Sequence, residues 1–178
     1  MIVPGIEHRF RGPARADPAG QPLAEVGVGH EGLLRVQRQG AHRQRGKHDA
    51  PLVGKLLREQ DLVPGLIISS TARRAQDTAR LVAEACGYEG EIELCQEMYL
   101  SDASSYMDIL HNLPDQLERV LLVGHNPDLQ ELLSLLADYE EPFPTAGLAQ
   151  VELPILSWQS LNEATDGYLK NVWKPREL

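Results

Sequence analysis

A chain of 178 residues, 42% hydrophobic and 24% charged, is long enough for one globular domain, or one domain with a tail. Its net charge of −9 argues against a general nucleic-acid binder, because a phosphate backbone calls for a basic face. Nothing approaches the roughly 18 unbroken apolar residues of a membrane span, so neither nucleic acid nor membrane is an expected partner. The two cysteines, Cys86 and Cys95, fall in a predicted helix end and the next predicted strand, without metal-like spacing. They read as small core residues in a reducing compartment. Met1-Ile2-Val3 breaks at Pro4-Gly5 before a signal-peptide core can form, which makes the cytoplasm the expected location.

The first 46 residues differ from the rest. They hold no Ser, Thr, Asn, Lys, Cys, Tyr or Trp, whereas Gly, Arg, Ala, Pro, Gln and His are abundant. No five-residue window there has the apolar content expected of a core strand. Residues 1–50 carry eight Lys and Arg against five Asp and Glu, a balance of +3 that leaves −12 for the remainder. Three readings compete for this segment: a disordered tail, a basic arm for a partner, or translation in a wrong reading frame, which in a GC-rich gene gives this Arg/Gly/Ala/Pro mixture.

From Arg45 onward every local signal agrees with its neighbours. Asp49 can cap a helix, Pro51 is tolerated in a first turn, and Leu52, Val53, Leu56 and Leu57 form an apolar stripe ending near Glu59. Leu62-Val63-Pro64-Gly65 turns the chain into the short strand Leu66-Ile67-Ile68, which halts at Ser69-Ser70. The next helix, from near Thr71, puts Ala75, Thr78, Ala79, Val82, Ala83 and Cys86 on one face and stops at Gly87. Glu91 to Cys95 alternates like a strand with one buried face. Ser101 or Ser104 opens a helix with Tyr106, Ile109, Leu110 and Leu113, closed by Pro114. A strand from Val120 to Val123 leads into a helix with Leu129, Leu132, Leu133 and Leu136, and Ala149 to Leu153 and Tyr168 to Trp173 read as late strands. Strands alternating with helices in this way predict an α/β domain with a mostly parallel sheet, whose ligands sit beyond the carboxyl ends of the strands.

Two strand-to-helix junctions lie at such ends. In Ser70-Thr71-Ala72-Arg73-Arg74-Ala75, an arginine falls in the first turn of an amphipathic helix, where its guanidinium fork and the unpaired backbone N–H groups can share one anion. Because Ala75 and Thr78 fix the buried face, Arg74 is the expected site residue and Arg73 lies further out. At the second junction Leu121-Leu122-Val123-Gly124-His125-Asn126-Pro127 delivers His125 to the start of a helix. Taken alone, each is an ordinary surface arginine or turn histidine; together they are half of a phosphate pocket.

The Ser-x-x-x-Arg-Ala-x-x-Thr-Ala pattern from Ser70 to Ala79, with Val-Gly-His-Asn-Pro about 45 residues later, resembles the histidine phosphatase superfamily. The SixA-type phosphohistidine phosphatase branch is the closer likeness. It is similar in Arg45-Gly46-Lys47, Asp49-Ala50-Pro51, Pro144-Thr145-Ala146 and a Trp-bearing end that closes on Lys174-Pro175. The resemblance covers residues 45–178. It implies a three-layer α/β/α fold, phosphorylated protein or a small phosphomonoester as partner, and a phosphohistidine intermediate that needs no metal or other cofactor. It assigns Arg74 and His125 to the catalytic pocket and Ser70, Asn126 and Thr145 to substrate binding, with Glu97 as the nearest acidic candidate for a proton donor.

The family's nucleophile lies in an Arg-His-Gly or Arg-His-Ala motif at the end of its first strand, and no Arg-His dipeptide occurs here. Glu7-His8-Arg9 and Ala41-His42-Arg43 have the order inverted. The expected organisation is therefore an aberrant, disordered or frame-shifted segment at 1–44, then a histidine phosphatase-like domain at 45–178 without a proper first strand. The expected activity is that of a phosphatase that has lost turnover, or a catalytically inactive phosphate-binding or interaction domain.

Overall fold

Six consecutive buried residues, Val120 to His125, put strand β4 (Arg119–His125) inside a sheet covered on both faces. The computed structural model describes residues 30–37, 43–99, 102–143 and 147–174. Around β4 they form β1 (His30–Gln37), α1 (Arg43–Glu59), β2 (Leu66–Ser70), α2 (Arg73–Cys86), β3 (Ile92–Cys95), α3 (Ala103–His111), α4 (Asp128–Ala137), β5 (Leu148–Leu153) and β6 (Tyr168–Trp173). Short 3-10 turns stand at Gln96–Met98 and Trp158–Ser160.

The six strands lie in the order β3-β2-β4-β1-β5-β6. The first four are parallel, and β5 and β6 add antiparallel strands beyond β1. Side-chain alternation divides the core into two layers. Ile67, Leu121 and Val123 face α1 and α2, whereas Leu66, Ile68, Val120 and Leu122 face α3 and α4. This is the expected α/β/α sandwich with a mostly parallel sheet. No helix among the described residues is long and apolar enough to cross a membrane.

One part of the expectation is corrected. The slot for a first strand is filled: β1 pairs in parallel with β4 and antiparallel with β5, in the middle of the sheet and upstream of residue 45. Its sequence, His-Glu-Gly-Leu-Leu-Arg-Val-Gln, has only three apolar side chains, Leu33, Leu34 and Val36, broken by Arg35. A central parallel strand usually reads as a continuous apolar run, and this one does not. Backbone ladders on both sides supply what composition did not signal.

Smaller differences have local causes. Helix α1 begins at Arg43, six residues before Asp49, and Pro51 lies inside it. The cap of α3 is Asp102, not a serine, because its carboxylate accepts from the Ser105 N–H at 3.0 Å while the Ser104 and Ser105 hydroxyls donate to it at 2.7 and 3.0 Å. Strand β3 is an edge strand, so Leu94 is 53% exposed where a buried face was expected. Gly87 ends α2 in the left-handed conformation, φ 77°, as predicted.

Candidate active site

Parallel strands β2 and β4 are neighbours, so their carboxyl ends, Ser70 and His125, emerge at the same edge of the sheet. Both side chains are buried. The chain leaving β2 reaches the first turn of α2 within three residues, and this brings Arg74 over the end of β4. Its Nη2 lies 3.1 Å from His125 Nδ1. On the other side of the ring, His125 Nε2 lies 3.2 Å from Ser70 Oγ. A guanidinium is only a donor, so Nδ1 accepts; the ring proton of this neutral tautomer is on Nε2 and is donated to Ser70 Oγ. Ser70 Oγ also accepts from the Ala72 N–H at 3.4 Å. The two predicted junctions thus meet in one chain, Arg74 to His125 to Ser70.

Two features leave this cluster open to an anion. Helix α2 has no side-chain cap and no acidic residue in its first turn, and its first intrahelical bonds are those of the Ala75 and Gln76 N–H groups with Ala72 O. The positive end of the helix dipole is therefore unopposed beside Arg74. The Arg74 Nε atom is buried and has no hydrogen-bond partner among the described residues. A buried donor left unpaired costs roughly 1–3 kcal/mol, which a phosphoryl oxygen would relieve.

Gly124 follows from packing. A Cβ there would overlap the hydroxyl of Tyr106, which α3 lays against the end of β4. Asn126 donates from Nδ2 to Phe143 O at 3.3 Å, and its Oδ1 is buried without a hydrogen-bond partner among the described residues. Thr145 lies outside the described residues.

A cavity of about 360 Å³ opens beside the cluster, lined by Thr71, Ala72, Arg73, Arg74, Gln96 and Tyr99. Thr71 Oγ1 donates to Gln96 Oε1 at 2.8 Å, tying the α2 entry to the 3-10 turn after β3. Arg73, placed further out by the sequence pattern, lines this cavity as well. Glu97, on the same 3-10 turn, is exposed and accepts from Cys95 Sγ at 3.1 Å. That bond holds its carboxyl below the usual range, the direction opposite to that of a proton donor. Burial, and then the bond to Glu97, push the Cys95 thiol up. Among the described residues no group of three or more His, Cys, Asp and Glu could hold a metal ion.

Strand β1 brings a third carboxyl end to this edge. Its last residue, Gln37, is in register with His125. The sequence continues Arg38-Gln39-Gly40-Ala41-His42, residues that lie outside those described. The signal that could have placed β1 is the Leu33-Leu34-x-Val36 core followed by Arg-x-Gly, a weak pattern beside the compositional bias around it.

No protein-family model matches the chain, and no curated protein matches it. Solved structures do. SixA from Agrobacterium tumefaciens superposes with a TM-score of 0.67 at 22% identity, covering 82% of this chain and 98% of that one. The protein histidine phosphatase SixA in complex with tungstate gives 0.68 at 19%, covering 83% and 98%. A mycobacterial glucosyl-3-phosphoglycerate phosphatase gives 0.57 at 16%, covering 82% and 98%. Residues 45–178 are 134 of 178, or about 75%, so the shared fold takes in chain upstream of residue 45.

Proposed function

We propose that this chain, which carries the fold of the SixA phosphohistidine phosphatases, is a phosphoryl-binding domain of that type whose turnover has been lost. The observation that carries the reading is the Arg74–His125–Ser70 chain at the uncapped start of α2, beside a strand β1 whose end supplies no Arg-His. The ligand is the phosphoryl group of a phosphorylated protein or of a small phosphomonoester. Proteins of this fold have been solved with tungstate and with inorganic phosphate, tetrahedral oxyanions of the same shape.

In the bound state Arg74 turns its fork from His125 to two phosphoryl oxygens, and the backbone N–H groups at the start of α2 take a third. Ser70 accepts from His125 Nε2–H and holds the ring in one orientation, with Nδ1 toward Arg74. Asn126 adjoins this ring, and Thr145 belongs to the same set by the motif that contains it. Glu97 is left out of the machinery, since its carboxyl is stabilised as the anion.

A phosphohistidine intermediate requires an imidazole nitrogen in line with the departing group. Directly after β1 the sequence has Arg38-Gln39-Gly40, an Arg-x-Gly triplet with glutamine in the place of histidine. The lone pair of a carboxamide nitrogen is delocalised into its carbonyl, so Gln39 cannot take up the phosphoryl group. Titration calorimetry with inorganic phosphate tests the binding, and release of phosphate from p-nitrophenyl phosphate tests the turnover. Binding that disappears in Arg74→Ala, without turnover in the parent, is expected. Turnover at the rates of active histidine phosphatases would overturn the loss, and absence of any phosphate binding would overturn the whole reading. Gln39→His tests the position: an acid-labile phosphoryl label on the variant supports it, and no label places the missing histidine elsewhere.

A further inference from the structure

Resting on the phosphoryl-binding reading, we infer that the cavity beside Arg74 is a second subsite, in which Arg73 receives an anionic group carried by the organic part of the phosphoryl ligand. Among the described residues its wall has two cations and no carboxylate: Arg73 and Arg74 on one side, Gln96 and Tyr99 on the other. Arg74 is half-buried and within hydrogen-bond distance of His125. Arg73 is exposed, and among the described residues it has neither a hydrogen bond nor an ion pair.

Asp77 is exposed one helical turn further along α2, at the spacing at which an arginine and an aspartate on a helix surface meet. No ion pair joins them. Arg73 lines the cavity instead, although the helix dipole disfavours a cation at this end. The body of the chain carries an excess of acidic residues, so a cation with no counter-charge stands out against its surroundings.

Size points the same way. At about 360 Å³ the cavity is within the range of small-molecule sites and far exceeds one tetrahedral oxyanion. With Arg74 holding the phosphoryl group at the His125 end, the rest of the ligand extends toward Arg73 and Tyr99. Tyr99 is 42% exposed, an aromatic surface available to the carbon skeleton, and the Gln96 amide, already bonded to Thr71, presents its remaining polar edge. The chemistry recognised is a phosphomonoester bearing a carboxylate or a second phosphoryl group a few bonds away.

Two probes separate this from the parent reading: ethyl phosphate, a monoester without a second charge, and phosphoglycolate, which adds a carboxylate. Calorimetry on the full chain should give phosphoglycolate about fivefold tighter binding, the scale of one partly exposed ion pair. Arg73→Gln should bring the ratio of the two constants to about one, and Arg74→Gln should weaken both ligands together. Arg80→Gln, an exposed arginine further along α2, should keep the fivefold ratio. A ratio near one in the parent, or one that survives Arg73→Gln, overturns the subsite while leaving phosphoryl binding intact. Equal loss in Arg80→Gln overturns it too, since the preference would then be general electrostatics. If neither probe nor inorganic phosphate binds, the phosphoryl-binding reading has failed and the subsite with it.

Discussion

The two faces of the sheet are packed in opposite ways. Toward α1 and α2 the core is made of small and aliphatic side chains, with Ala50, Val53, Ala75, Ala79, Val82 and Ala83 buried. Gly54 lets the two helices approach until a Cβ there would sit 2.6 Å from Ala85 Cβ and 2.6 Å from Val82 O. Toward α3 and α4 the core has bulk: Trp158, Tyr106, Met98 and a row of leucines are fully buried. Arg74 comes from the close-packed face, and His125 leads into the helix of the bulky one. Their 3.1 Å contact therefore depends on both layers being docked. A small-residue interface fails by overpacking and a bulky one by cavity formation, which gives each face its own way of being broken.

The largest effect should come from the bulky side. Trp158 is fully buried, its Nε1–H donates to Leu117 O at 2.7 Å, and its N–H donates to Asp115 Oδ1 at 2.9 Å. Trp158→Ala should cost about 3–5 kcal/mol in urea unfolding, with the midpoint falling and the slope kept. A loss below about 1 kcal/mol would mean that this layer is not a continuous core. On the other side, Gly54→Val should cost about 1–3 kcal/mol, because the added methyls meet backbone, which cannot turn away. Wild-type stability in that variant would show that α1 and α2 do not pack this closely.

Gly124 lies nearer the site and tests the bulky face at finer scale. Gly124→Ala should cost about 1–3 kcal/mol by displacing the Tyr106 hydroxyl, and Tyr106→Phe should recover part of that in a double-mutant cycle. Additive effects would separate the two residues. The smallest effect is at the α3 cap. Hydrogen bonds from the Ser104 hydroxyl, then from Ser105, hold the Asp102 carboxyl below its ordinary range. A group whose folded pKa is depressed stabilises the fold above its unfolded pKa, and that stabilisation is lost as pH falls through the lower folded value. Asp102→Asn keeps the capping oxygen and removes the charge, so its melting temperature should decline less steeply than the parent's from about pH 5 downward. Parallel pH profiles would remove the carboxylate from the account.

What could be read in advance tracks how local the physics is. The buried face of α2 was legible to the residue, and that of α4 in all but Asp128, because a 3.6-residue period needs only the sequence of one helix. The residues Ser70, Arg74 and His125 were legible as candidates because each stands at or just after the end of a strand with an apolar run, Leu66 to Ile68 or Val120 to Val123. Strand β1 was not. Arg35 interrupts its short apolar run, and the compositional bias of the first 46 residues hid what remained. That Arg73 lines a cavity was also missed, since the facing wall comes from the turn after β3, more than 20 residues away.

The sequence by itself determined the alternation of strands and helices, the buried face of each helix and the two junctions rich in anion-binding groups, all of which follow from periodicity and end chemistry within a few residues. The tertiary structure alone decided that His30–Gln37 fills the centre of the sheet, since its partners lie in β4 and β5, more than 80 residues downstream. It also decided that Arg74 meets a histidine 51 residues away. Register between strands and the docking of helices on two faces are properties of distant pairs, and no local pattern encodes them.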